Sequence, residues 1–351
     1  MRGPNPAQVH ILRNAVPIPH NGNQVLEPGE WLMNDDNAFQ LALMAEKGTV
    51  GVRRWTGEDM PAVEVVRSIL LIRSGAIGDL LMLSPCIKPL RDKYPDARIT
   101  IACHKRHWPV MAGIEASLTD YPIHVSDLSS FALIISLENI VEIFTDKHAI
   151  DAFAEALGVT VADYRPVYRM TEAEKQAVIR NTGKRVALQL RASARIRDYH
   201  MEQWGEVITT LLQRGWEVML IGKENPDIKG APPELKDCSA LSFREAAAVL
   251  ATCDVFCGVD SAFFNLCPAL GVPAIGLFGP VDWRTRVKEG MGQRALAGAG
   301  DCAPCGWTNS RAGHMFPPHG PCAKTGYCIP LAEIKPERVV AQIEKHARSH
   351  T

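Results

Sequence analysis

The chain has 351 residues, 46% of them apolar and 22% charged, which is long enough for about two domains with buried cores and too apolar for wholesale disorder. Its 38 Lys and Arg against 39 Asp and Glu leave a net charge of −1, excluding a global basic field that would gather nucleic acid or an anionic membrane. Charge interrupts every apolar run before the ~18 residues of a membrane span, as Arg73 and Asp79 do within 69–83, and the first residues lack the apolar segment of a secretory signal, so a cytoplasmic location is expected.

Residues 1–66 read as an N-terminal extension. They carry Pro4, Pro6, Pro17, Pro19 and Pro28, a turn signal at 20–23 and a short alternating run at 49–55, which together predict a few strands and one short helix near 37–46. From Ser68 the pattern becomes alternating strand and helix. The continuous apolar run 69–72 predicts a parallel strand covered on both faces, followed by a glycine loop and a helix over 80–94. Strands follow at 98–103 and 132–135, then a helix over 147–157 with Gly158 as its stop.

A connector leads to a second series: helix 171–181, strand 186–190, helix 201–213, strand 217–221, helix 243–251, strand 255–258, helix 262–270 and strand 274–278, with a last amphipathic helix from Pro336 to about Ala347. Two sets of βα units predict an α/β protein with two doubly wound, Rossmann-like domains, divided as 67–165 and 166–335, with 336–351 as a terminal helix. Ligands in such sheets bind at the carboxyl ends of the strands, so the loops after Ile72, Leu190, Ile221 and Gly258 are the places to look.

The first of these loops, 73–79, runs from a buried strand into a helix. Gly75 and Gly78 allow close backbone approach or a positive φ, and the helix N-terminus favours an anion; an acid at this place, Asp79, is either a helix cap or a catalytic group. The second loop sets Arg191, Ser193, Arg195 and Arg197 at a strand's carboxyl end, where guanidinium groups grip a diphosphate bidentately, unless they form a solvated basic turn. The third offers Asp260 and Ser261 before a helix, for capping or for phosphate. Glu224 and Asp227, after the 217–221 strand, are candidates for a ribose hydroxyl.

These motifs carry a resemblance. Residues 69–90 (ILLIRSGAIGDLLMLSPCIKPL) and 254–280 (DVFCGVDSAFFNLCPALGVPAIGLFGP) resemble the first and second motifs of the ADP-heptose:lipopolysaccharide heptosyltransferases, glycosyltransferase family 9. Arg197 to Trp204 falls where that family has Lys, Trp-Pro and a following Trp, and the resemblance extends over about 67–347. It implies a GT-B fold, in which two Rossmann-like domains face a cleft, and metal-independent transfer of a sugar with inversion from a nucleotide-diphosphate donor. It further implies Asp79 as the general base, with Gly75, Gly78, Ser193, Arg195, Arg197, Asp260 and Ser261 on the donor. Ala262 and Asn265 depart from the family's Gly and His, which leaves open both the identity of the donor and the alternative of a non-catalytic nucleotide-binding or assembly module.

Four of the ten cysteines lie within 302–328, as Cys302-x2-Cys305-x16-Cys322-x5-Cys328 in a Gly- and Pro-rich stretch. This spacing, in a finger over about 300–330, is close to that of a four-cysteine zinc knuckle, with His314 and His319 as substitute ligands. Relatives that glycosylate autotransporters hold iron in a comparable finger, so the resemblance implies a structural zinc or iron. The acceptor is a glycan by family default, with a protein or a hydroxylated DNA base as alternatives. For DNA the candidate footprint is Arg53, Arg54, Lys105, Arg106, His107 and Trp108.

Overall fold

The computed structural model describes residues 66–123, 127, 130–138, 140–143, 147–177, 183–223, 234–300, 302–305, 322 and 325–348, together with five short strands that precede them. Those strands are β1 (His10–Leu12), β2 (Val16–Pro17), β3 (Val25–Leu26), β4 (Gly29–Trp31) and β5 (Val52–Arg54). They pair antiparallel, as β4-β1-β5 and as β2-β3. The helix expected near 37–46 lies outside the described residues.

The chain divides into two compact units. The first comprises Met1–Phe144 with Ala149–Asp163, the second Thr145–His148 with Tyr164–Thr351. In the first unit β6 (Ser68–Ile72), β7 (Arg98–Ala102), β8 (Ser117–Thr119) and β9 (Leu133–Ser136) form an all-parallel sheet in the order β8-β7-β6-β9. Ile69, Leu70 and Leu71 are fully buried, as a strand covered on both faces demands. The helix expected over 80–94 is broken into α1 (Ile77–Leu83), a 3-10 turn at Ser84–Cys86 and α2 (Ile87–Lys93). Pro85 is the cause, because it lacks the N–H that an unbroken helix would use at that point. Short α3 (Ile140–Ile143) and α4 (Ala149–Ala156) follow, with α4 packing on α1.

The second unit opens with α5 (Glu172–Ala177), tied to the later α7 (Phe243–Ala251) by an ion pair between Glu174 and the Arg244 guanidinium that pulls the Glu174 carboxyl below its ordinary range. Its sheet contains β10 (Arg185–Gln189), β11 (Glu217–Leu220), β12 (Lys236–Asp237), β13 (Val255–Val259), β14 (Ala274–Phe278) and β15 (Gln293–Ala297). All neighbours are parallel, in the order β12-β11-β10-β13-β14-β15. In order of appearance this is 3-2-1-4-5-6, the doubly wound arrangement. The remaining helices are α6 (Met201–Gln213), α8 (Ala262–Leu270), α9 (Ile329–Ala332) and α10 (Pro336–His346).

Helix α6 buries Trp204 edge-on against Tyr199, whose hydroxyl donates to the Ile334 carbonyl, so the last two helices are locked onto the sheet. Gly298 is the tightest point of this packing: a Cβ there would run into the Pro330 carbonyl. Edge strand β15 and helix α9 were not expected from the sequence. The run QRALA is too short, and too polar at Gln293 and Arg294, to stand out from its glycine-rich surroundings.

Candidate functional site

Each sheet reverses its direction of growth once, and side chains from the crevice-forming loops gather there. In the first unit the reversal lies between β6 and β9. Arg73 leaves the end of β6, its N–H donating to the Ala102 carbonyl of β7 at 3.0 Å. Its guanidinium is buried; Nη1 donates to the Leu137 carbonyl just past β9 at 3.0 Å and Nη2 donates to Asp79 Oδ2 at 2.6 Å. Asp79 therefore does not cap the helix. It stands in the first turn of α1, after Ala76 at the N-cap, with its carboxylate turned back to Arg73 and 17% of the side chain exposed. The Ser74 N–H donates to the Glu138 carboxylate, which is buried.

The two glycines of this loop have a different use from the one expected. Neither has a positive φ. Gly75 leaves room for the ion pair, since a Cβ there would sit 2.9 Å from Arg73 Nε and 3.0 Å from Asp79 Oδ2. Gly78 is buried inside α1. Beside them, a 3-10 helix at Lys105–Met111 packs on α1. Lys105 and Arg106 are exposed, but His107 is buried and Lys105 Nζ lies 5.9 Å from the Trp108 ring centre, so only part of the expected basic footprint faces solvent.

In the second unit the reversal lies between β10 and β13. The loop after β10 forms a 3-10 turn at Arg195–Arg197, and β13 ends at Val259, just before Asp260 and Ser261. Arg197 Nη1 donates to the Asp260 main-chain oxygen and to its Oδ2, both at 3.1 Å, and Nη2 donates to Ser193 Oγ at 2.8 Å. A second buried guanidinium, Arg286, places Nε 3.8 Å from Asp260 Oδ1 while Nη1 donates to Thr285. Asp198 accepts the Ala192 N–H at 2.8 Å. Burial pushes its carboxyl upward, and that N–H together with Arg191, Arg195 and Arg197 opposes the rise.

Two guanidiniums, those of Arg197 and Arg286, thus share the Asp260 carboxylate, with half-buried Arg191 and exposed Arg195 near Asp198. This local excess of positive charge suits an anionic ligand. Ser261, next to Asp260, caps α8, accepting the Phe264 N–H at 3.4 Å, so a helix N-terminus begins beside the Asp260 cluster. Ala262 begins α8 and Asn265 is buried within it. Glu224 and Asp227 lie outside the described residues.

Sequence reasoning missed Arg286, Arg73 and Glu138. Arg286 follows β14, and its loop too begins at a strand's carboxyl end. The partners of Arg73 and Glu138 are about sixty residues apart in the chain, and only the sheet order brings them together.

The four clustered cysteines grade from exposed Cys302 through half-buried Cys305 and Cys322 to buried Cys328. Burial pushes the Cys328 thiol up to about 12, and Cys305, Cys302 and Cys322 are each close enough to add to that rise. Among the described residues no group of three or more His, Cys, Asp or Glu is arranged to hold a metal ion. His314 and His319 lie outside them. No described helix is long and apolar enough to cross a membrane.

The comparisons with known proteins come from a family model and from solved structures; no curated protein matches the sequence. The family model of glycosyltransferase family 9 (heptosyltransferase) matches residues 142–303, a segment that includes the Arg197–Asp260–Arg286 cluster and leaves out Asp79. The Escherichia coli ADP-heptose lipopolysaccharide heptosyltransferase II superposes with a TM-score of 0.58 at 14% identity, covering 80% of this chain and 98% of the enzyme. A family 9 glycosyltransferase from Veillonella parvula gives 0.60 at 14% identity over 80% and 97%. The iron-containing dodecameric glycosyltransferase TibC from enterotoxigenic E. coli gives 0.62 at 16% identity over 80% and 76%. At such identities the structures establish a shared α/β fold with parallel sheets. Joined to the motifs of the sequence, the family match shows that residues 142–303 resemble glycosyltransferase family 9 (heptosyltransferase), on a fold shared with solved members of that family.

Proposed function

We propose that the protein is an inverting glycosyltransferase that moves a sugar, heptose in the reading its relatives' names favour, from a nucleoside-diphosphate donor to an acceptor hydroxyl. The observation that carries this reading is the buried Arg197–Asp260–Arg286 cluster at the reversal of the second sheet, a cationic seat for a diphosphate leaving group. We assign donor binding to the second unit, through Arg197, Arg195, Ser193, Ser261 and Asp260, and add Arg286 to that set. Activation of the acceptor is assigned to the first unit, with Asp79 as general base.

The acceptor hydroxyl gives its proton to the Asp79 carboxylate as its oxygen attacks the anomeric carbon. The bond from that carbon to the diphosphate breaks with its electron pair passing to the leaving phosphate, and attack from the opposite face inverts the configuration. Arg197 and Arg286 face the charge that develops on the leaving group, where fixed donors in a water-poor site act most strongly. Asp260 accepts hydrogen bonds from hydroxyls of the transferred sugar. The acceptor hydroxyl belongs to a glycan, with a protein or a hydroxylated DNA base as the other classes to screen.

The test is a thermal-shift series with ADP, UDP, GDP, CDP and their sugar conjugates, followed by transfer assays with whichever donor binds. A ligand at ~100 times its dissociation constant adds about 2.7 kcal/mol of stability, so one nucleotide is expected to raise Tm clearly above the others. If none shifts Tm, the donor reading fails and a non-nucleotide role for the fold takes its place.

We further propose that Cys302, Cys305, Cys322 and Cys328 hold a structural zinc or iron. The chemistry of the donor set supports this: four cysteine thiols, with Cys302, Cys305 and Cys322 near enough to raise that of buried Cys328, in a segment with few apolar residues of its own, although they are not arranged as a metal site in this structure. A metal bound there ties the segment to the second unit and leaves no coordination position for substrate. Protein purified without added metal is expected to contain about one equivalent by elemental analysis and to lose thermal stability on chelation. Less than about half an equivalent in an otherwise folded preparation rules the proposal out.

A further inference from the structure

Asp79 is held by a residue that the reaction, as written above, does not use. Arg73 is anchored at four places on four different elements. Its main-chain N–H is on β7, Nη1 is on the carbonyl that follows β9, its guanidinium carbon stands 5.9 Å from the centre of the Phe153 ring of α4, and Nη2 is on Asp79 in α1. Its side chain is 3% exposed. The next residue is fixed from the other side, where the Ser74 N–H meets the buried Glu138 carboxylate. A buried arginine is an expensive way to hold a seven-residue helix, since apolar packing of the same volume is often as stabilising or more so. What this arrangement adds is geometry, because one carboxylate oxygen of Asp79 is tied down while part of its side chain stays open to solvent.

We propose that Arg73 is a positioning residue that clamps Asp79 through Oδ2 and leaves Oδ1 as the atom that takes the acceptor proton, with Glu138 fixing the loop that carries the clamp. This rests on the reading of Asp79 as the base. An exposed aspartate turns about two side-chain torsions, and a displacement of about 1 Å in a reacting group costs on the order of 10²-fold in rate. Gly75 belongs to the same device, because any side chain at that position would push the guanidinium off the carboxylate.

The experiment compares Arg73→Met, Arg73→Lys, Glu138→Gln, Asp79→Ala and the Arg73→Met/Asp79→Ala double variant, following release of the nucleoside diphosphate from the donor sugar identified by the thermal-shift and transfer assays. Arg73→Met is expected to lower kcat by about 10²-fold with the donor Kd unchanged. Arg73→Lys recovers about tenfold, because an ammonium reaches Oδ2 but cannot also span to the Leu137 carbonyl. The double variant should be no slower than Asp79→Ala alone, as expected of two residues acting through one group. A further loss in the double variant, or full kcat in Arg73→Met, overturns the proposal. If Asp79→Ala itself turns over normally, the reading of the base is what has failed. A readout that needs no turnover is the crystal structure of Arg73→Lys and, where it folds, Arg73→Met. Asp79 is expected to leave its present rotamer in Arg73→Met and to stay near it in Arg73→Lys, and an unmoved carboxylate in Arg73→Met, or one equally displaced in Arg73→Lys, overturns the clamp.

Discussion

Asp79→Asn is expected to abolish sugar transfer while leaving donor affinity and thermal stability close to those of the unaltered protein. A general base contributes about 10²- to 10⁴-fold, and the amide has the shape of the carboxylate without its basicity. Its oxygen can still accept the Arg73 Nη2 hydrogen bond now made by Oδ2, so the loop and the start of α1 keep their arrangement. Asp79→Ala is the cruder variant. It strands a guanidinium that is 3% exposed beside a vacated partner, and breaking a buried pair costs about 3–5 kcal/mol, less here because the carboxylate is partly solvated. A loss of activity in the alanine variant would therefore mix chemistry with folding. The asparagine variant separates them: kcat from initial rates falls by at least about 10²-fold, while donor Kd by calorimetry and Tm stay put. A rate within about threefold of the original would remove Asp79 from the chemical step.

The parts of this fold that sequence reasoning reached share one property: their signal is local. Strands β6, β13 and β14 are continuous apolar runs because both faces of a parallel sheet are covered, and their burial follows. The loops after β6, β10 and β13 were singled out because a helix start after a strand end is visible in a few residues. What escaped depends on order in the sheet. Asp79 reads equally well as a helix cap until β9 is known to lie beside β6, which brings the Leu137 carbonyl under Arg73 and makes that arginine a clamp. Arg286 looks like an ordinary loop cation in Trp283-Arg284-Thr285-Arg286, yet it reaches Asp260, on a different strand's end, to share one carboxylate with Arg197. Pro85 is a local signal as well, and it divides the first helix in two.

Removing Asp260 is expected to have two effects that pull against each other, and their balance tells whether the cluster is a nucleotide seat. In the free protein, Asp260→Ala leaves Arg197 and Arg286, 15% and 8% exposed, facing each other without the carboxylate between them. Loss of one partner from a buried ion pair costs about 3–5 kcal/mol. For a domain of about 150–250 residues, the size of the second unit, each kcal/mol is worth roughly 2–4 °C, so the Tm of that unit should fall by on the order of 10 °C. A diphosphate bound between the two guanidiniums would supply the missing negative charge. Saturating nucleotide should therefore close most of the gap in Tm between Asp260→Ala and the unaltered protein, although transfer stays lost because the sugar has no partner. Arg286→Ala should behave oppositely: it relieves one buried cation, costs less in the free protein, and weakens the nucleotide-dependent rise in Tm. Thermal scans of the three proteins with and without the nucleotide found by the shift series measure both trends. If Asp260→Ala loses the same increment of Tm with nucleotide as without it, the two arginines are not where the diphosphate binds, and the cluster is a structural ion pair.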